Sequence, residues 1–329
     1  MLQLQKLDIQ NFSAENWNKS IDFRKRFFRQ TFPNEPEPNF DTWQATMERY
    51  HANNSTYTFY NILLNEKVIA QIWHFITDIE KATEKQYIRI HHDMNFESEA
   101  LFDLISEKIA NWKTQGKLSI LTTQTDFAYK IAEKNGFTKG NEKTFLFLQT
   151  KKFKQKQLQE WATFLPNSFS YSIIEKPNQK ECGEIAEIMT FLLNDMKRSD
   201  RSQTFHLKAE DVAKRYEQSL LLGITYRHIL LRNEKAELIG MSFLSYDRKN
   251  AQSSRQFMTG TLPAYRRKGL AKFMKATMYL FLQKEEPTIQ LVKTDCFTEN
   301  DRMLNLNIQM GFEIEFLEQE WFFKYQALS

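Results

Sequence analysis

The sequence predicts a mixed α/β protein with two tandem domains of one topology. Three observations support this. A length of 329 residues suits two domains. A β-hairpin pattern occurs twice, about 170 residues apart, and the same order of strand, helix and Gly-Phe follows each copy. Hydrophobic residues make up 41% of the chain and charged residues 26%, which excludes a disordered protein because cores can form.

Both hairpins are β-rich runs separated by a polar Asn-Glu-Lys turn. The first joins TYTFYNILL (56–64) to VIAQIWHFI (68–76), and the second joins ITYRHILLR (224–232) to LIGMSFLSY (238–246). Such runs around a short turn predict paired antiparallel strands.

Helical patterns lie on both sides of each hairpin. Apolar residues recur there every three or four positions, so one face of each helix is expected to be buried. The stripes are Trp17, Ile21, Arg24 and Phe28, with Arg24 as a polar exception; Ile185, Ile188, Met189, Leu192 and Met196; Ala100, Leu101, Leu104, Ile105, Ile109 and Trp112; and Leu270, Phe273, Met274, Thr277, Met278 and Phe281.

Each half then repeats one ending. A strand (117–123 or 288–294) precedes a short helix and then Gly136-Phe137 or Gly311-Phe312. This shared order indicates a gene duplication and predicts two similar domains.

We expect the domains to be residues 1–150 and 170–329, joined by a linker at 151–169. The linker is rich in lysine, which allows either a solvated segment or short surface helix, or a nucleic-acid patch. No aromatic interleaving accompanies the lysines, so the solvated segment or short surface helix is favoured.

Charge and cysteine content favour a soluble cytoplasmic protein. The net charge of +4 is too mild to indicate a nucleic-acid binder, and Cys182 and Cys296 form no disulfide framework or zinc pattern. The start of the chain does not look like a secretory signal, and no long apolar run predicts a membrane span. A metal at His91-His92-Asp93 is not expected, because neighbouring strand residues point to opposite faces.

The segment 257–278 is the most informative for function. A β-rich run leads into a basic loop, and an amphipathic helix starts near Gly269. Unpaired amides and the helix dipole favour an anion at such a start, although a well-capped helix with exposed basic residues would look the same. The positive charge comes from Arg266, Arg267, Lys268 and Lys272.

Two motifs resemble the GCN5-related N-acetyltransferase (GNAT) superfamily. RRKGLA (266–271), preceded by T-x-P (261–263), matches that superfamily's R/Q-x-x-G-x-G/A loop. TENDRMLNLNIQMGFE (298–313) resembles its later helix. The resemblance covers 170–329, extends to 1–150 through the repeat, and is closest to tandem GNAT proteins of the mycothiol-synthase type.

The resemblance implies where acetyl-CoA binds. The loop amides would hold the pyrophosphate, and the preceding strand would pair its backbone with the pantetheine arm. Asn300 and Asn307 match positions that contact the pantetheine or hold the cleft, although both could simply cap or turn the chain. The implied cofactor-binding residues are Met258, Thr259, Gly260, Thr261, Arg266, Arg267, Lys268, Gly269, Leu270, Ala271, Lys272, Asn300 and Asn307.

In this family an amine attacks the thioester directly, so no metal or covalent intermediate is needed. Positioning and a path for the amine's proton are required. Asn307 stands where many members have the tyrosine that protonates the thiolate, so that role is unfilled. Asp295 and Glu299 are candidates for the base, with surface carboxylates as the alternative.

The first half departs from the loop motif. Asn95 aligns with the loop arginine and Ser98 with the glycine, and Glu97 and Glu99 lie beside them. Carboxylates repel a pyrophosphate, so this degenerate copy is not expected to bind CoA.

The sequence therefore predicts an acetyl-CoA-dependent N-acetyltransferase whose carboxy-terminal domain acts on a small-molecule or peptide amine. Two alternatives remain: transfer of a longer acyl group, and a CoA-binding sensor without turnover.

Overall fold

The chain is mixed α/β, which confirms the predicted fold class. The computed structural model describes residues 1–8, 12–33, 37, 56–77, 85–113, 118–197, 204–221, 223–248 and 251–323. Over these residues the strands and α-helices are β1 (Leu2–Leu7), α1 (Ala14–Thr31), β2 (Thr56–Leu64), β3 (Lys67–Thr77), β4 (Lys85–His92), α2 (Glu99–Lys113), β5 (Leu118–Thr123), α3 (Asp126–Lys134), β6 (Thr138–Gln149), α4 (Gln155–Ala162), β7 (Ser170–Ile174), α5 (Gln179–Asp195), α6 (Ala209–Leu221), β8 (Ile224–Arg232), β9 (Leu238–Asp247), β10 (Ser253–Thr261), α7 (Leu270–Glu285), β11 (Leu291–Phe297), α8 (Asp301–Met310) and β12 (Glu313–Phe323).

Two compact units share these elements. Unit 1 contains Met1–Glu142 and Phe316–Ser329, and unit 2 contains Lys143–Glu315. The strand order is β1-β2-β3-β4-β5-β12 in unit 1 and β7-β8-β9-β10-β11-β6 in unit 2. In each unit the fourth and fifth strands of this order are parallel and the other neighbours are antiparallel. The two units thus have one topology.

The sixth strand of each unit comes from the other half of the sequence. Residues 319–323 of β12 pair with β5 in unit 1. Residues 143–149 of β6 pair with β11 in unit 2. The predicted ranges 1–150, 151–169 and 170–329 therefore cut across the two units, because the repeats exchange their last strands.

The predicted hairpins are confirmed, and both contain a shift in strand register. The register of β2 against β3 shifts between Ile62 and Leu63, and that of β8 against β9 shifts between Leu231 and Arg232. These positions lie at the same point of the repeat, so the duplicated pattern includes the local bulge.

The segment 151–169 contains a short helix, α4, which is one of the two forms predicted for it. Its residues Phe153 and Leu158 are buried in the same core cluster as the α7 residues Phe273 and Met274. The lysines lie on its exposed side, while the apolar side packs into unit 2.

The predicted helical stripes are largely buried. Trp17 and Ile21 of α1, Ile105 of α2 and Ile185 of α5 are core residues. In unit 2 the core packs on both faces of the sheet, with α7 and α8 contributing to one cluster and α5 and α6 to the other. The sheet and α7 together position the loop that the sequence singled out.

Candidate functional site

The loop between β10 and α7 has an unusual backbone. Arg267 and Gly269 both have left-handed conformations, with φ of 62° and 72°. Alternation of handedness through successive residues turns their N–H groups toward one concave side. Such a concavity at a helix start favours an anion.

The amides of this loop are available. Arg266 N donates to Pro263 O, and the next bonded amide is that of Phe273, which donates to Gly269 O at 3.0 Å. Among the described residues, the amides from Arg267 to Lys272 have no protein acceptor. The predicted pyrophosphate loop therefore presents six consecutive N–H donors.

Gly269 makes a close contact with an aromatic side chain. The space that a Cβ would fill holds the ring of Phe164, whose Cε1 would lie 3.0 Å from it. Glycine permits both the left-handed turn and this contact.

The basic side chains of the loop have separate partners. Arg266 donates to Asp195 Oδ2 at 2.6 Å and to Thr261 O at 3.3 Å, so its charge is engaged at the end of α5. Lys268 Nζ lies 5.5 Å from the centre of the Tyr265 ring. Lys272 Nζ lies 4.9 Å from that of Trp161. The charge of Arg266 is thus partly balanced by Asp195, whereas Lys268 and Lys272 contact aromatic rings.

The strands β10 and β11 diverge next to this loop. Their parallel pairing covers 253–256 against 291–294 and then ends. On its other edge β10 remains paired with β9 as far as Thr261, after a register shift between Gln256 and Thr259. The edge of 258–261 that faces β11 is therefore open to a ligand's amides.

A buried polar cluster supports this irregularity. Gln256 Nε2 donates to Phe243 O at 2.8 Å and to Ser242 Oγ at 3.1 Å, and Ser242 Oγ lies 2.7 Å from Thr259 Oγ1. Gln256 is fully buried, and its Oε1 has no donor within the described part of the chain. This acceptor lies where the strands separate.

Gly260 lies close to α5. A Cβ at this position would come within 2.6 Å of Leu192 Cδ2. A larger residue would require the Leu192 side chain to shift, so glycine permits the close contact between β10 and α5.

Asn300 and Asn307 occupy different environments. Asn300 caps α8, and its side chain accepts from Met303 N at 3.3 Å. Asn307 is fully buried, and its Oδ1 accepts from Lys275 Nζ at 2.8 Å. Asn307 Nδ2 has no acceptor among the described residues.

Lys275 is a buried cation that the sequence analysis missed. Only 1% of it is exposed, and burial lowers its pKa to about 7, with Cys296 acting in the opposite direction. Burial also raises the pKa of Cys296 to about 11. A lysine without a carboxylate partner in a core is costly, so this polar group needs an explanation beyond packing.

The two candidate bases differ in their surroundings. Asp295 is held by Arg255 at 2.6 Å on β11, beyond the last residue paired with β10. Glu299 is exposed in the turn before α8. Asp295 lies at the open end of the strand pair, whereas Glu299 lies next to the α8 cap.

An open groove runs along α5 near the loop. It contains two carboxylates, and one of them, Asp195, is the partner of Arg266. Its lining residues are Glu187, Thr190, Phe191, Asn194, Asp195, His206 and Leu207.

The corresponding loop of unit 1 uses two of its own side chains as acceptors. Ser98 precedes α2 as Gly269 precedes α7, but its hydroxyl caps the helix by accepting from Leu101 N. Asp93 is buried and accepts from Asn95 N at 3.2 Å. Glu97 pairs with His92 at 2.8 Å. This loop thus contains a buried carboxylate that the loop of unit 2 lacks.

Neither a metal cluster nor a spanning helix is found in the described ranges. Those ranges contain no group of three His, Cys, Asp or Glu residues that could hold a metal ion. The helices described there are too short or too polar to cross a membrane.

Solved structures with the same fold are GCN5-related N-acetyltransferases. A tandem GNAT protein from the clavulanic acid biosynthesis pathway matches 100% of this chain and 100% of its own, with a TM-score of 0.75 and 13% identity. A GCN5-related N-acetyltransferase from Sphaerobacter thermophilus matches 99% of this chain and 96% of its own, with a TM-score of 0.67 and 8% identity.

A third solved structure is the glucosamine N-acetyltransferase region of a fungal multi-domain GH3 β-N-acetylglucosaminidase. It covers 98% of this chain and 38% of its own, with a TM-score of 0.63 and 10% identity. No family sequence model matches the chain, and no curated protein matches it by sequence. The chain therefore has the tandem GNAT fold, and the similarity lies in structure.

Proposed function

We propose that this protein is an acyl-CoA-dependent N-acyltransferase, with acetyl-CoA as donor and its active site in unit 2. One arrangement carries the proposal: six free loop amides beside a strand whose backbone edge is open. An anion followed by an amide-bearing arm is the ligand that such a surface complements.

The donor's two polar parts fit this surface. The amides of 267–272 would hold the pyrophosphate, and the edge of 258–261 would pair with the amides of the pantetheine arm. Two buried atoms without partners, Gln256 Oε1 and Asn307 Nδ2, supply a hydrogen-bond acceptor and a donor in the same unit. Gln256 Oε1 lies where β10 and β11 separate, so it is placed to accept from an amide of the pantetheine arm.

The reaction needs positioning more than a reactive side chain. The acceptor nitrogen attacks the thioester carbonyl carbon, the C–S bond breaks, and CoA leaves after taking up a proton. Asp295, at the open end of β11, and Glu299 are our candidates for accepting the amine's proton through water. Asn300 would help to shape the cleft, because its side chain caps α8.

The acceptor groove is assigned to the surface beside α5. Glu187 gives it negative charge, which favours a cationic amine. Because Asp195 also binds Arg266, the groove is connected directly to the loop.

Enzyme activity is tested by steady-state release of CoA. The full chain is mixed with acetyl-CoA and a panel of small-molecule and peptide amines, and acetylated product is identified by mass. Amine-dependent release of CoA would support the proposal. If longer acyl-CoA donors react faster than acetyl-CoA, the protein transfers a longer acyl group. The proposal of acyl-CoA-dependent N-acyl transfer would then stand, and acetyl-CoA would be the wrong donor.

A sensor without turnover is the second candidate. Asn307 supports it, since its buried amide cannot supply the proton that many GNAT enzymes take from a tyrosine at this position. Tight binding of CoA with no release in the presence of any amine would favour the sensor.

A further inference from the structure

Phe164 is an exposed aromatic residue beside the loop. It follows α4, and 59% of its surface is exposed. One side of its ring packs on Gly269, at 3.0 Å from the position of a Cβ. A phenyl ring with a free surface next to amide donors is a specific feature, because most large apolar residues of unit 2 are buried.

The backbone holds this ring in place. Phe164 N donates to Trp161 O at 3.3 Å, and the neighbours Trp161 and Leu165 pack against the core of unit 2. Little conformational entropy is then lost when a ligand covers the ring.

We propose that Phe164 is the stacking platform for the adenine ring of the CoA donor. This inference rests on the proposed function, because it places the pyrophosphate on the amides of 267–272. In CoA the adenosine is attached directly to that pyrophosphate. The base is therefore only a few bonds from the phosphates that the loop beside Phe164 would hold.

Adenine fits the ring better than other parts of the donor. A flat π-surface stacks on an aromatic side chain, whereas the pantetheine arm offers amides that need hydrogen bonds. Lys268 and Lys272 flank the loop and suit the phosphates that surround the base. Phe164 would thus select an adenine nucleotide over a bare phosphopantetheine.

Calorimetric titration with two probes tests the platform. CoA carries the adenine, and 4′-phosphopantetheine lacks it. The full chain is compared with Phe164→Ala, with Phe164→Trp, and with Leu221→Ala as an exposed control on α6, where Leu221 is 87% exposed. A thermal melt of each variant checks folding.

The platform predicts a selective loss. Phe164→Ala should weaken CoA binding by about tenfold or more, as for loss of a base stack, and should leave 4′-phosphopantetheine within about twofold. Phe164→Trp and Leu221→Ala should bind CoA like the parent.

Three results would overturn the platform. These are unchanged CoA binding in Phe164→Ala, an equal loss for both probes, and a parent that binds both probes equally well. If the parent binds neither CoA nor acetyl-CoA, the proposed function is wrong. The platform is then wrong as well.

Discussion

The two loops at the helix starts of the repeats differ in length and in the acceptors that their amides find. In unit 1 six residues (93–98) separate β4 from α2, and in unit 2 eight residues (262–269) separate β10 from α7. In the shorter loop the Asp93 carboxylate accepts from Asn95 N and the Ser98 hydroxyl accepts from Leu101 N. The longer loop has two left-handed residues, and its amides from Arg267 onward have no acceptor among the described residues.

Under the proposed function, the buried Asp93 carboxylate disfavours a second anion at the loop of unit 1, because like charges repel. Arg26 and Gln30 hold this carboxylate at 3.1 Å and 2.9 Å. The repulsion predicted from Glu97 and Glu99 is a smaller effect, because Glu97 is engaged with His92.

The largest expected effect comes from Gly269→Glu. The new side chain would displace the Phe164 ring, and its carboxylate beside the helix start would repel the pyrophosphate, so affinity for CoA should fall by about two orders of magnitude or more. Titration calorimetry measures the affinity. Parent-like binding by the folded variant would remove the main support for the site.

The matched control for Gly269→Glu is Gly269→Asn. Asparagine tolerates the left-handed backbone and adds no charge, so it reports the strain and the contact with Phe164 alone. Ser98→Glu makes the equivalent change in unit 1 and should leave CoA binding unchanged.

A stability effect is expected from Asp93→Asn. Burial by itself would raise the pKa of Asp93, but the bonds from Gln30, Asn95 and Arg26 lower it overall. The charged form therefore stabilises the fold, and the variant should lose roughly 1–3 kcal/mol near pH 7. Urea unfolding measures this loss.

The pH dependence of Asp93→Asn checks the cause. A lowered carboxyl pKa gives stability that is present above the unfolded value of about 4 and is lost as the pH falls through the folded value. The difference between parent and variant should shrink in acid. A difference that is constant with pH would assign the loss to packing.

Lys275→Met probes a polar group that unit 2 keeps in its core. Because burial lowers the pKa of Lys275 to about 7, the unfolded chain binds more protons than the folded chain between pH 7 and the lysine's ordinary value of 10.5. The parent's free energy of unfolding should therefore rise, relative to that of the variant, by a few kcal/mol between about pH 7 and 10. Parallel stability curves would contradict a buried, neutralised lysine.

The smallest effect is expected from Ser98→Gly. It restores the glycine of the motif in unit 1 but leaves the buried Asp93 carboxylate in the loop, so no second CoA site should form. Stability should fall by only a few tenths of a kcal/mol, since glycine is an acceptable N-cap. A second CoA site in this variant would show that Ser98, and not Asp93, blocks the loop.

Local patterns predicted the fold and the loop well. The hairpins, the helical stripes and the left-handed Gly136 and Gly311 at the helix ends follow from sequence periodicity and turn residues. The loop could be placed because its basic residues and glycine lie next to the stripe of α7.

Long-range contacts could not be predicted. The exchange of β6 and β12 depends on which strand each one pairs with, and periodicity does not specify a partner. Lys275 looked like a solvated helix residue among other lysines, and the contact of Phe164 with Gly269 was hidden because 151–169 was interpreted as a linker.

The most direct test of the account is the number of CoA molecules that one chain binds. Calorimetric titration of the full chain with CoA should give one site per chain, because the loop of unit 2 is free and that of unit 1 contains the buried Asp93 carboxylate. Two equivalent sites, or none, would contradict the account.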